Sequence, residues 1–315
     1  MKHSLLNSLL RRLLQAFMVA WGVGTLTFIL MRSLPGDMAY RIAAGRYGQD
    51  NVSASAAELV RAELGLERPA FQAYLHWLLD LLQLNLGNSL ITGAPVMAEI
   101  QHQLGHSLLL AVTAIAVAAL LALPVGIITG LRAGGRLDKL VMVISSAFRA
   151  QPVFVIGLVL ILLFSVNWQW FPVAGFGTLY HLVLPSLALA LCLAAVSNRV
   201  VRNSTHRVVS SPFYLFSRVK GLPAMDTFMR HGLRNLSVPV IAYMGIQLVG
   251  LIEGIVMIES LFSWPGVGHG LAHAIFSRDI PMIQGTALIM GLIFVILNAL
   301  VDIACYMADP RGRLQ

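Results

Sequence analysis

Charge is scarce in this chain. Only 11% of the 315 residues are Asp, Glu, Lys or Arg, against 57% hydrophobic, and the mean hydropathy is +0.78. That balance excludes an ordinary soluble domain. Cysteine is nearly absent. Cys192 and Cys305 both fall in apolar runs, which excludes a disulfide framework or a thiolate metal cluster. The sequence has no G-x-x-x-x-G-K-[ST] loop, so the chain is not expected to bind ATP itself. It has no H-E-x-x-H, no G-x-S-x-G and no evident pair of catalytic carboxylates, so no enzyme signature appears and no catalytic or metal residue is assigned. No small-x-small cleavage site follows the apolar run Leu13–Met31, and this segment is read as a retained helix, not a signal peptide.

Long apolar runs are what the sequence has instead. Leu13–Met31 is 19 residues without a charge, enough to cross a bilayer. Six spans are expected in all: about 9–31, 107–131, 140–166, 182–201, 236–258 and 280–304. Each can satisfy its backbone hydrogen bonds internally, as lipid demands. The net charge of +8 is spread over four segments on one side of this scheme. These are the N-terminus (Lys2, Arg11, Arg12), the loop with Arg132, Arg136, Lys139 and Asp138, the stretch from Arg199 to Arg234, and the C-terminus. The positive-inside rule then places both termini in the cytoplasm, and the charge calls for a membrane, not nucleic acid. Trp168, Trp170 and Trp264 fall where an outer aromatic belt would lie.

The insert Arg32–Leu104 carries five Arg against seven acids, the wrong balance for a cytoplasmic loop. It is expected outside, and helical. Ser55-Ala56-Ala57-Glu58 has the form of a capping box and Gly65 of a helix stop. Phe71, Tyr74, Leu75, Leu78, Leu79 and Leu82 make an apolar helical stripe. The insert is either a cap on the spans or a docking surface for a soluble protein.

The most distinctive stretch is Phe213–Pro239. It sets Arg218, Lys220, Arg230 and Arg234 against one acid, Asp226. Lys220-Gly221-Leu222, then His231-Gly232-Leu233-Arg234-Asn235, then Pro239 resemble the coupling loop of ABC-importer permeases. Further motifs follow in order: Arg32 to Asp37; Leu64 to Pro69 with Tyr74; Asn85-Leu86-Gly87-Asn88-Ser89; Glu259 to Gly268; Arg278-Asp279-Ile280-Pro281 with Gln284-Gly285; Val301-Asp302 with Tyr306 and Asp309-Pro310-Arg311. Together they resemble the dipeptide/oligopeptide/nickel permease family from end to end. Met38 departs from that pattern where the family usually has Pro.

The resemblance implies an all-α membrane protein of the type I ABC importer permease fold, with six transmembrane helices and a helical extracytoplasmic insert after the first. Residues 1–31 would be the N-terminus and first span, 32–104 the insert, 105–310 the transmembrane domain and 311–315 a tail. It implies a bacterial inner-membrane location. The implied partners are a second homologous permease subunit, two ATPase subunits holding ATP and Mg, and an extracytoplasmic solute-binding protein. This chain itself would take no cofactor. The coupling segment, about 203–235, would act through Phe213, Tyr214, Arg218, Lys220, Gly221, His231, Arg234 and Asn235. Phe213, Tyr214, Phe216 and Val219 would give an apolar face for an ATPase groove, and Gly221 suits the helix end.

Two ionisable residues fall inside expected spans: Arg149, just before Pro152, and Glu253. Such groups cost several kcal/mol against lipid, about 2.5–3.5 for Arg at midspan. They either pair with each other or line the translocation path with Pro152. His102/His106 and His269/His273 have i,i+4 spacing that suits a metal, without evident further ligands. The function expected is the permease subunit of an ATP-driven importer for peptides or for nickel and other metal chelates. A stand-alone secondary transporter or channel is the alternative.

Overall fold

The computed structural model describes residues 2–33, 36–48, 52–64, 69–83 and 85–308; within these, the side chains of residues 2–9, 11, 13, 31, 64, 70, 82, 231, 252, 253, 306 and 308 lie outside the described set, among them Leu82, His231, Glu253 and Tyr306. Gly65, part of the Leu64–Pro69 motif and the Asp309-Pro310-Arg311 motif lie outside it too. Among the described residues the regular secondary structure is all helical, apart from an isolated bridge between Asn88 and Pro95. The helices are α1 (Lys2–Ser33), α2 (Met38–Tyr47), α3 (Ala54–Leu64), α4 (Ala70–Leu82), α5 (Val96–Leu131), α6 (Arg136–Ala150), α7 (Val153–Leu160), α8 (Leu179–Val209), α9 (Pro212–Val219), α10 (Ala224–Thr227), α11 (Leu233–Leu261), α12 (Val267–Ser277) and α13 (Ile280–Ala308). Wider π-helical turns continue α7 through Ile161–Asn167 and join α10 to α11 through Phe228–Gly232.

Among the described residues three helices are long and apolar enough to cross a membrane: α5, α8 and residues 280–305 of α13. Two more candidates are bent. The pair α6 and α7 turns by 102°, and α11 turns by 54° between Leu233–Leu251 and Gly254–Leu261. In α1 the apolar part is the shorter stretch Leu14–Leu30.

The third expected span, about 140–166, turns a corner at its proline. Pro152 excludes the helical conformation at the residue before it, and Gln151 is extended at φ −93° and ψ 138°. Pro152 is the N-cap of α7. The fourth span also differs. Helix α8 runs on to Val209, so Arg199, Arg202 and Arg207 ride on helix, not on loop.

The chain forms two compact units, Met1–Ser107 with Pro265–Val295, and Leu108–Trp264 with Ile296–Gln315. In the first, α2 and α3 bury Ala39, Ile42, Ala43, Ala57 and Val60 against Leu90 and Ile91. Asp37 caps α2 by accepting from the Ala39 N–H at 2.9 Å. The cap of α3 is Ser53, whose Oγ accepts from Ala56 at 3.2 Å, so the helix begins ahead of the expected Ser55 box. Helix α4 turns Tyr74 and Trp77 toward Phe28 of α1, with ring centroids 5.3 and 6.2 Å away. Gly24 admits Trp77, which lies where a Cβ would be. Of the expected stripe, Phe71, Leu75 and Leu79 are exposed, because the aromatic pair supplies the contact face.

In the second unit, small residues on α5 repeat every four positions: Ala114, Ala118, Ala122, Gly126 and Gly130. This row lets backbones approach closely, as small residues do between membrane helices. A Cβ on Gly130 would stand 2.6 Å from the Arg202 carbonyl of α8. Across the α6–α8 seam, Asn198 donates to Ser145 at 3.2 Å. Arg202 grips the buried Asp138 in the same seam, at 2.6 Å. Trp264 is 1% exposed and packs edge-on to Phe176, so it belongs to the core and not to an aromatic belt. Trp168 and Trp170 are exposed, with ring centroids 4.7 Å apart.

Candidate functional site

The basic segment folds as a helical elbow. Pro212 opens α9 at a position where its missing N–H costs nothing. Tyr214 is buried against Val201, Val208, Phe228, Leu236 and Val240, and its hydroxyl donates to the Ala224 carbonyl at 3.2 Å. It therefore anchors the helix and leaves the expected outward face. That face consists of Phe213, Phe216 and Val219, all exposed, joined by Leu215, Met225 and Met229. Lys220 lays its ammonium 4.7 Å from the Phe216 ring centroid, a cation–π contact.

The end of α9 is a Schellman motif. Leu222 N–H reaches the Ser217 carbonyl at 3.3 Å and Gly221 N–H the Arg218 carbonyl at 3.0 Å. Gly221 takes φ +88°, the left-handed conformation that favours glycine. Arg218 adds a bond to the Leu222 carbonyl at 2.8 Å. Arg234 and Asn235 stand exposed on the first turn of α11. The His231 side chain is outside the described residues. The segment thus holds an apolar patch rimmed by cations on a short helix whose other face is fixed.

The path candidates are partly located. Arg149 is exposed in the last turn of α6 and Pro152 is the corner residue. Glu253 lies on α11, with its side chain outside the described residues.

A second constellation lies within the first unit. Asp279 is buried at the start of α13. It accepts from the Ser89 hydroxyl and, at 3.1 Å, from the Leu90 N–H. Ser89 Oγ in turn accepts from Ile91 and Thr92 N–H at 3.2 and 3.0 Å. The neighbouring Arg278 is left-handed at φ 55° and donates to the Gly36 carbonyl at 3.0 Å. Three sequence motifs, around Gly36, Ser89 and Arg278, thus meet in one place. Beside them is a cavity of about 330 Å³ lined by Glu99, His102, His269, His273 and Ser277 among others. Among the described residues no three His, Cys, Asp or Glu side chains converge to hold a metal ion.

Sequence reasoning missed the Asp138–Arg202 clamp and the convergence on Asp279. Partners 64 and 190 residues apart leave no local signal.

An all-helical chain with bilayer-length apolar helices and a cation-rimmed helical elbow is the build of a membrane permease. Comparison with known proteins agrees. Residues 122–314 match the family described as binding-protein-dependent transport system inner membrane component. Residues 5–111 match the corresponding N-terminal family. The chain is 34% identical over 309 residues to the glutathione transport system permease protein GsiC of Pectobacterium atrosepticum, covering 98% of this chain and 99% of that protein. The same protein in Escherichia coli strain K12 gives the same identity and coverage. The chain belongs to this family: it is an ABC transporter permease of the peptide/oligopeptide type, the membrane component of an importer.

Proposed function

We propose that this chain is one of two permease subunits in an ATP-driven importer of short peptides, including glutathione-like ones. The observation that carries the coupling half of this reading is the elbow at α9. One face is anchored through Tyr214, the other presents Phe213, Phe216 and Val219 with Lys220 and Arg218 at the rim. Such a face suits a groove on a partner ATPase, the helix-in-groove mode. Motion there reaches α8 and α11 directly, because Tyr214 packs on both. In this reading the chain crosses the inner membrane six times, with both termini cytoplasmic and the insert on the far side beside a solute-binding protein. A second permease and two ATPases complete the assembly, and ATP and Mg sit in the latter. The peptide cargo follows from the relatives, which are named as glutathione transport permeases.

A second cargo, nickel or another metal chelate, is favoured by the imidazole-lined cavity. One experiment separates these. Cells with and without the gene are given labelled glutathione, a labelled dipeptide and nickel, with and without free histidine as chelator. Gene-dependent peptide uptake supports the first reading and gene-dependent nickel uptake the second. Val219→Asp and Phe216→Asp should abolish uptake and release the ATPases on purification. Uptake that persists without any ATPase sinks both readings in favour of a secondary transporter.

A further inference from the structure

We propose that His269 and His273 form a binding site for a divalent first-row transition ion, bound by two imidazoles and open to the adjoining cavity. The two residues are one turn apart on α12, and their Nε2 atoms lie 3.2 Å from each other. Two nitrogens held at about 2.1 Å by one ion stand about 3.4 Å apart for tetrahedral and about 3.0 Å for square-planar geometry. The observed separation falls between these values.

In the absence of an ion the same geometry makes a hydrogen bond between neutral rings.

The surroundings are built closely. A Cβ on Gly270 would fall 2.3 Å from Gln103 Oε1, so α12 is pressed against α5 at this point. The Val267 N–H donates to Ser107 Oγ at 2.8 Å and fixes the start of α12 on the same helix. His102 and Glu99 of α5 line the same cavity of about 330 Å³ as His269 and His273. No third ligand converges with the pair among the described residues. The ion therefore keeps open positions, to be filled by water or by a small chelating molecule in the cavity. That is the chemistry of an exchangeable site, in contrast to the closed four-ligand shell of a structural zinc. The site lies in the cavity that favours the metal cargo in the second reading above, but its test reads metal binding and not uptake, so the two can fail separately.

The test uses the importer purified with its partners in nanodiscs, without a histidine tag. Zinc and nickel are titrated by calorimetry, and copper by electron paramagnetic resonance. Wild type should bind one ion that is lost, or weakened at least tenfold, in His273→Asn, with the copper nitrogen hyperfine pattern reduced by one ligand. His273 is exposed, so this variant should fold normally. Wild-type stoichiometry and affinity in both His273→Asn and His269→Asn would overturn the proposal, as would the absence of saturable binding in wild type.

Discussion

Arg202 holds Asp138 with two hydrogen bonds, Nε to Oδ1 at 3.0 Å and Nη2 to Oδ2 at 2.6 Å, across the α6–α8 seam. The Gly134 N–H donates to the same carboxylate at 2.8 Å, so the clamp also pins the turn before α6. Asp138 is 1% exposed. Removing one partner of a buried pair strands the other, at a cost of about 3–5 kcal/mol, while replacing both by apolar groups is often neutral. Arg202→Met alone should therefore lower the thermal midpoint of the detergent-solubilised protein sharply. The double variant Asp138→Leu/Arg202→Met should recover most of that loss.

Gly221 has open space where a side chain would go, so substitution there tests backbone conformation alone. At φ +88° a β-branched residue is strained by about 1–2 kcal/mol, whereas asparagine tolerates the left-handed region. Gly221→Val should cut transport-coupled ATPase activity several-fold and Gly221→Asn should not. The check is ATPase activity of the reconstituted importer, with the yield of co-purified ATPase as control.

Ser263 is an exposed left-handed residue at φ 50°, between the buried Phe262 and Trp264. The Trp264 N–H reaches the Glu259 carbonyl at 2.8 Å, a Schellman ending like that of α9. Ser263→Gly should raise stability by about 1 kcal/mol in thermal melts. Arg278 has the same backbone conformation but is buried and bonded to Gly36, so Arg278→Gly should destabilise.

Asp37 should make the α2–α3 hairpin acid-sensitive. Burial alone would raise its pKa, but hydrogen bonds from Arg61 at 2.7 Å and from the Ala39 N–H more than reverse this, so the folded value is depressed. The stabilisation is present above the ordinary carboxylate pKa and lost as pH falls through the lower folded value. Hydrogen exchange of residues 38–64 should accelerate below about pH 4 beyond the intrinsic change. In Asp37→Asn the acceleration should shrink.

The sequence shows the helix at α9 and its ending at Gly221, because both depend on neighbours within a turn. It also shows which stretches are apolar enough for a bilayer. It does not show that Tyr214 turns inward while Phe216 turns outward, since both are aromatic and the choice rests on Val240 and Leu236 far along the chain. Trp264 is misplaced for the same reason: an indole near a span end looks like an interface anchor until Phe176 is seen beside it. The functional motifs at Ser89 and Asp279 are legible as motifs, but that one hydrogen-bonds the other is a fact of topology. The cap of α3 differs by two residues because Ser53 and Ser55 compete for one role and Ser53 takes it.

The corner at Gln151 and Pro152 has a consequence for mapping the membrane crossing. Helix α6 has 15 residues, about 22 Å of rise, which is short of the ~30 Å hydrocarbon layer. Two arms set at 102° cannot both stand along the bilayer normal. The amphipathic distribution of α6 suits a course near the membrane plane, with Asp138 and Ser145 turned inward while Leu140, Val143 and Ile144 face out. A label placed along such an arm reports immersion depth, not which compartment it faces. Reagent-accessibility scans through residues 136–150 should therefore give a periodic pattern of protection, in place of the single step that marks a crossing.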